Sequence, residues 1–134
     1  MSFVVRMVPE VDSHTARFWT SGTTGALVVP RCRPCGHHLL PPAPVCNRCR
    51  STDLEEVELS GRGEVYTFTV NVQPWFPDME VPNVLAVVEL AEEPGLRILV
   101  TLVDVEPETV AIGMPVQLAF ATEGDIAVPY GRPA

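Results

Sequence analysis

All four cysteines of this 134-residue chain fall in one stretch, CRPCGHHLLPPAPVCNRC, as Cys32, Cys35, Cys46 and Cys49. They form two C-x2-C pairs. Each pair places two thiolates on a tight knuckle where both reach one metal, and two knuckles complete a tetrahedral sulfur shell. The expected cofactor is a single structural Zn2+ held as a tetrathiolate. Apparent binding energies for such sites are about 10–16 kcal/mol, enough to fold a segment with almost no core. An iron centre of rubredoxin type and a pair of redox dithiols are the competing readings of the same spacing. Gly36, directly after the first pair, fits a knuckle turn that needs positive φ. His37 and His38 could suggest mixed ligation, but four cysteines already close the site, so the two histidines are expected to be exposed on a hairpin. Four coordinated thiolates also leave none free to attack a substrate.

No other catalytic set stands out, so the catalytic residues expected are none. His14 is the only histidine outside this stretch, and no carboxylate or hydroxyl is evidently committed to it. The chain has no glycine-rich phosphate loop, G-x-S-x-G elbow or H-E-x-x-H motif. The acidic runs Glu55 to Glu58 and Glu92-Glu93 read as solvated faces and a turn.

The thiols need elements to position them. At this length the chain suits one compact body with a small stapled module. A metal or a partner subunit would add usefully to the stability of so small a core. Hydrophobic residues make up 46% and charged residues 19%, a globular composition. The net charge of −8 is unevenly spread. Residues 1–50 carry six arginines against Glu10 and Asp12, net +4, whereas residues 51–134 carry three arginines against fifteen acids, net −12. An acidic second half repels phosphate backbones, so no nucleic-acid partner is expected. The longest apolar run, VLAVVELA from Val84, is broken by Glu89 and falls short of the ~20 residues that cross a bilayer. The start, MSFVVRMVPEVD, carries no secretory pattern. The expected localisation is therefore cytoplasmic and away from membranes, a reducing setting where clustered cysteines bind metal more often than they form disulfides.

Asp12 and Ser13 are candidate N-caps for a short helix over HTARFWTSG, ended by Gly22 and Gly25. Phe18 and Trp19, at its end, either pack the helix onto the body or face a partner. ALVVPRC reads as a strand into Cys32 and HHLLPP as its return strand, and RSTDLEEVELS is a short lead to Gly61 and Gly63. Beyond these the pattern is β: EVYTFTVNV, NVLAVVELA, RILVTLVDV, PVQLAFA and a fifth, IAVPYG. QPWFPDMEVPN forms a proline-punctuated loop and PETVAIG a short helical turn. Five short strands in about 70 residues suggest a closed or nearly closed barrel, because closure removes exposed edges.

The order FW, GALVVPRCRPCGHHLLPPAPVCNRC, DLEEVELSGRGEVYTFTV, AVVEL and IGMPVQLAF resembles the DUF35 family, also described as acyl-CoA-associated OB-fold proteins. The likeness spans roughly Phe18 to Phe120. It implies a mainly β chain with a short N-terminal helical segment (1–25), a rubredoxin-like zinc ribbon (26–54) and a C-terminal five-stranded OB-fold barrel (55–134). The four cysteines match the family's metal ligands position by position. The resemblance also implies a non-catalytic accessory subunit beside a thiolase-fold enzyme, thiolase or retro-aldolase, or beside a hot-dog-fold hydratase. Such enzymes act on CoA thioesters, including those of steroid side-chain degradation. The partner would be a thiolase-like dimer carrying two copies of each subunit, with an acyl-CoA thioester at the shared interface.

On this reading Arg31, Arg33, Arg48 and Arg50 are candidates for the CoA phosphates, with ordinary surface charge as the alternative. Trp75 and Phe76, bracketed by Pro74 and Pro77, would line an interface together with Phe18 and Trp19, or would cap the barrel. The other functions weighed are a stand-alone acyl-CoA carrier and a nucleic-acid-binding OB and zinc-ribbon protein. An OB surface of the latter kind needs a basic groove with stacking aromatics.

Overall fold

A computed structural model describes residues 9–134. Residues 1–8, part of the N-terminal segment read for helix and secretory signal, lie outside the described residues. The helix is shorter than expected. Asp12 accepts hydrogen bonds through Oδ1 from the backbone N–H groups of His14 (2.8 Å) and Thr15 (2.9 Å), and α1 (Ala16–Ser21) follows. A 3-10 turn, Gly22–Thr24, continues it and ends at Gly25 with φ 84°. Six helical residues are unstable alone. α1 persists because Phe18 is buried in the main core, where its ring meets Trp19 edge-on at 4.8 Å.

Next come β1 (Leu27–Cys32) and β2 (Leu54–Leu59), which form an antiparallel pair from Leu27↔Leu59 to Cys32↔Leu54. This corrects two sequence expectations. HHLLPP is no return strand; only an isolated bridge, Arg31↔His38, joins it to β1. The partner of β1 is instead the acidic segment read as a lead. There Val57 and Leu59 alternate with Glu56 and Glu58, a period-two pattern that the charge run obscured.

The five remaining strands are β3 (Arg62–Asn71), β4 (Asn83–Leu90), β5 (Arg97–Leu102), β6 (Pro115–Glu123) and β7 (Ile126–Pro133). They close into a barrel in the order β3-β4-β5-β7-β6. Closure depends on the short β3–β6 ladder at Arg62 to Glu64 and on one parallel contact, Leu102↔Gly131, between β5 and β7. Gly131 permits that contact, since a Cβ there would sit 2.8 Å from both Leu102 and Val116 side chains. Along β4 the residues Val84, Ala86, Val88 and Leu90 point inward, as alternation requires. The barrel core is continuous with Leu27, Val29 and Leu59, so the base of the β1–β2 ladder is packed against the barrel. The chain is therefore mainly strand, with a short helix, a four-cysteine ribbon and a closed five-stranded OB barrel.

Candidate metal centre

Cys32 is the last residue of β1, and the chain turns at once. The Gly36 N–H donates to Cys32 O and the Cys32 N–H to His37 O, both at 2.8 Å. Gly36 has φ 79°, as the knuckle requires. The second knuckle closes when the Arg50 N–H donates to Cys46 O (2.9 Å), with Arg50 itself at φ 64°. The N–H groups of Arg48 and Cys49 point at Cys46 Sγ, at 3.4 and 3.5 Å.

The four Sγ atoms lie within 4.8 Å of one another. Cys32–Cys49 is 3.4 Å and Cys35–Cys46 is 3.7 Å, so all four cysteines are free of disulfides. Metal–sulfur bonds of about 2.3 Å put tetrahedral sulfur atoms about 3.8 Å apart. The sulfur set therefore fits a divalent metal. Hydrogen bonds from the Cys49 and Arg48 N–H groups hold the Cys46 thiol down at about 6, whereas burial pushes Cys32 up to about 12. A cation is what lets both serve as thiolates together. Among the described residues Leu39 and Leu54 add the apolar cover around them, too little to hold the two loops without a metal.

The histidines depart from expectation. His37 and His38 do not face solvent; both reach Glu93, in the turn between β4 and β5. Glu93 Oε2 lies 2.7 Å from His37 Nδ1, while Oε1 is 2.8 Å from His38 Nδ1 and accepts the His38 N–H at 2.9 Å. Glu93, read from sequence as solvated, has a side chain only 14% exposed. Burial opposes its ionisation, but the His38 N–H and the two imidazoles outweigh this and lower its carboxyl to about 2. His-His and Glu-Glu pairs so far apart in sequence carry no local pattern linking them.

All four candidate arginines lie on the ribbon, but three have partners in this chain. Arg31 donates to Gly36 O and sits 3.9 Å from Glu55, Arg33 meets Asp53 at 2.8 Å, and Arg48 lies 3.6 Å from Glu93. Arg50 has no carboxylate partner among the described residues. The candidate aromatics divide as well. Phe18 is spent inside the core, while Trp19 is half-buried beside an apolar cleft of about 220 Å³, walled by Leu40, Pro41, Ile98 and Leu99. Trp75 is 72% exposed on the β3–β4 loop, its Nε1 donating to Asn71 Oδ1 at 3.0 Å. Phe76, Val72 and Val81 are exposed on the same loop. The structure thus brings the four cysteines together and leaves Trp75 and Phe76 on a separate loop. Among the described residues no helix is long and apolar enough to cross a membrane.

Comparison with known proteins places this architecture. Residues 19–55 match the family described as the ChsH2 rubredoxin-like zinc ribbon domain, and residues 56–121 match the ChsH2 C-terminal OB-fold domain. A probable enoyl-CoA hydratase alpha subunit from Thermomonospora curvata is 36% identical over 131 residues; the match spans 97% of this chain but only 40% of that protein. A DUF35 domain-containing scaffold protein from Methanocaldococcus jannaschii is 43% identical over 96 residues, 70% of this chain and 67% of the relative. The solved structure of an Ltp2-ChsH2(DUF35) aldolase contains a chain that superposes with a TM-score of 0.82 at 35% identity, covering 93% of this chain and 98% of that one. With both its ribbon and its barrel matched, this chain belongs to the DUF35 family.

Proposed function

We propose that this chain is a non-catalytic accessory subunit of a thiolase-fold enzyme acting on CoA thioesters, stabilising its partner and helping to shape the substrate channel. The observation that carries the reading is the near-complete superposition on a chain of the Ltp2-ChsH2(DUF35) aldolase. The alpha-subunit name of the Thermomonospora curvata relative, which includes a CoA thioester hydratase activity, supports it further. One structural Zn2+ is held by Cys32, Cys35, Cys46 and Cys49; this commits every thiol of the chain and leaves no cysteine nucleophile. The metal's contribution is to fix the ribbon. The partner is a thiolase-like dimer that carries two copies of this chain.

The β3–β4 loop is the proposed contact. A tryptophan this exposed, beside Phe76 and Val72, leaves apolar surface in water that a partner pocket would cover. CoA phosphates at the shared interface would meet Arg50 most directly, because Arg31, Arg33 and Arg48 must first exchange their present partners.

Co-expression with a thiolase-fold protein, followed by size-exclusion chromatography with light scattering, tests the proposal. A particle of two plus two subunits, more active on acyl-CoA than the partner alone, is expected. Elution of this chain by itself, with partner activity unchanged, overturns the proposal. Calorimetry of the isolated chain with acyl-CoA separates it from a stand-alone carrier, which alone would give binding heat without the partner.

A further inference from the structure

We infer that Glu93 is a positioning residue that braces both metal knuckles against the barrel, so that metal retention in the ribbon and closure of the β4–β5 turn are coupled. The β1–β2 ladder is anchored to the barrel core through Leu27, Val29 and Leu59, with Val57 and Leu40 packed beside them; Cys32, at the far end of β1, lies three residues beyond Val29, about 10 Å away at strand spacing. Glu93 ties down that far end.

Two of its contacts lead directly to the sulfur set. The His37 ring meets Oε2 at 2.7 Å, and the carbonyl of the same residue accepts the Cys32 N–H. Fixing the ring therefore fixes the backbone group that shapes the first knuckle. Arg48 approaches the same oxygen at 3.6 Å, and its own N–H points at Cys46 Sγ. The first knuckle is thus held through His37 and the second through Arg48. His38 adds its ring and its N–H on Oε1. On the barrel side, the Glu93 carbonyl accepts the Leu96 N–H at 3.1 Å, and Leu96 is buried in the main core. A continuous set of contacts therefore joins the core, the turn, one carboxylate and both knuckles. Coupling of this kind is reciprocal: whatever the turn contributes to holding metal, metal returns to the turn.

The brace rests on the tetrathiolate zinc and is independent of any partner enzyme. The full chain, loaded with zinc, is compared with Glu93→Gln and Arg48→Ala. Zinc transfer to a chromophoric chelator is expected to be about 10–100-fold faster in Glu93→Gln, the usual cost of losing an outer contact to a metal site. Arg48→Ala, which loses one long contact of a mostly exposed side chain, is expected to be only about twofold faster. Amide hydrogen exchange at Leu96 supplies the readout that a merely structural role would not move. Stripping zinc from the wild-type chain is expected to raise this exchange about tenfold, whereas in Glu93→Gln exchange is already raised and does not respond to zinc. Unchanged zinc release in Glu93→Gln, or Leu96 exchange in the wild type that ignores zinc, overturns the inference. A wild-type chain that takes up no zinc overturns the metal assignment together with it. If Glu93→Gln does not fold, His37→Ala, which removes the side-chain link from the first knuckle to Glu93 Oε2, carries the same comparison: a Leu96 response to zinc as large as the wild type's counts against the brace.

Discussion

Cys32 Sγ and Cys49 Sγ, from the first and last cysteines of the chain, lie 3.4 Å apart, and Cys35 Sγ and Cys46 Sγ lie 3.7 Å apart. These two short contacts run between the knuckles, so the sulfur cluster joins two loops that have little apolar surface to hold them together. Replacing Cys46 with Ser is therefore expected to lower bound zinc and the yield of the partner complex together. Metal analysis by mass spectrometry and co-purification with the thiolase-fold partner measure the two. A variant that keeps its zinc and its complex would contradict the assignment, and one that loses activity while keeping its fold would point to redox dithiols.

Trp75 touches little of its own chain apart from Asn71 and Met79. Trp75→Ala should change thermal stability by no more than about 0.5 kcal/mol, the usual range for surface positions. In the partner complex the same substitution is expected to cost at least about 2 kcal/mol of affinity, as an interface aromatic does. Calorimetric titration of the partner, alongside thermal unfolding of the free chain, reads both; equal affinities would remove the loop from the interface.

Gly22 seats the helix on the barrel. A Cβ at this position would come within 2.4 Å of the Phe120 ring and 2.6 Å of Ala127 Cβ. Gly22→Ala is expected to destabilise the chain by about 1–3 kcal/mol through overpacking, although its backbone angles suit any residue. Chemical denaturation of the zinc-loaded chain gives the value, and an unchanged midpoint would mean that β6 and β7 yield freely.

The Glu93 carboxyl is lowered from 4.5 to about 2. A depressed carboxyl stabilises the fold above its unfolded value and loses that contribution as pH falls through the folded value. The window is therefore about pH 4.5 to 2, with the full contribution of up to about 3 kcal/mol present at neutral pH. Carbon-13 NMR of the side-chain carboxyls reads it directly. Between pH 6 and 4 the Glu93 signal should stay flat while exposed glutamates begin to move; a Glu93 midpoint near 4.5 would show that the histidines do not hold it.

Much of this was legible in local pattern. Two C-x2-C pairs bring thiols together over a few residues, glycine after the first pair marks the knuckle turn, and period-two runs such as NVLAVVELA mark strands whose inward residues alternate. The ~70-residue span of such runs was enough to anticipate a barrel, because unpaired edges must be closed. β2 was readable in principle, since Val57 and Leu59 alternate with glutamates, but its charge outweighed its period.

What the sequence determined by itself was the sulfur set and the alternation of the strands, because both depend on spacing along one stretch of backbone. Only the tertiary structure decided which strand pairs with β1, that Phe18 lies inside while Trp75 stays outside, and that His37, His38 and Arg48 converge on Glu93. These depend on how distant segments pack. A buried carboxylate finds its donors by position in space, and nothing in the neighbouring residues of Glu93 or His38 records that they will meet.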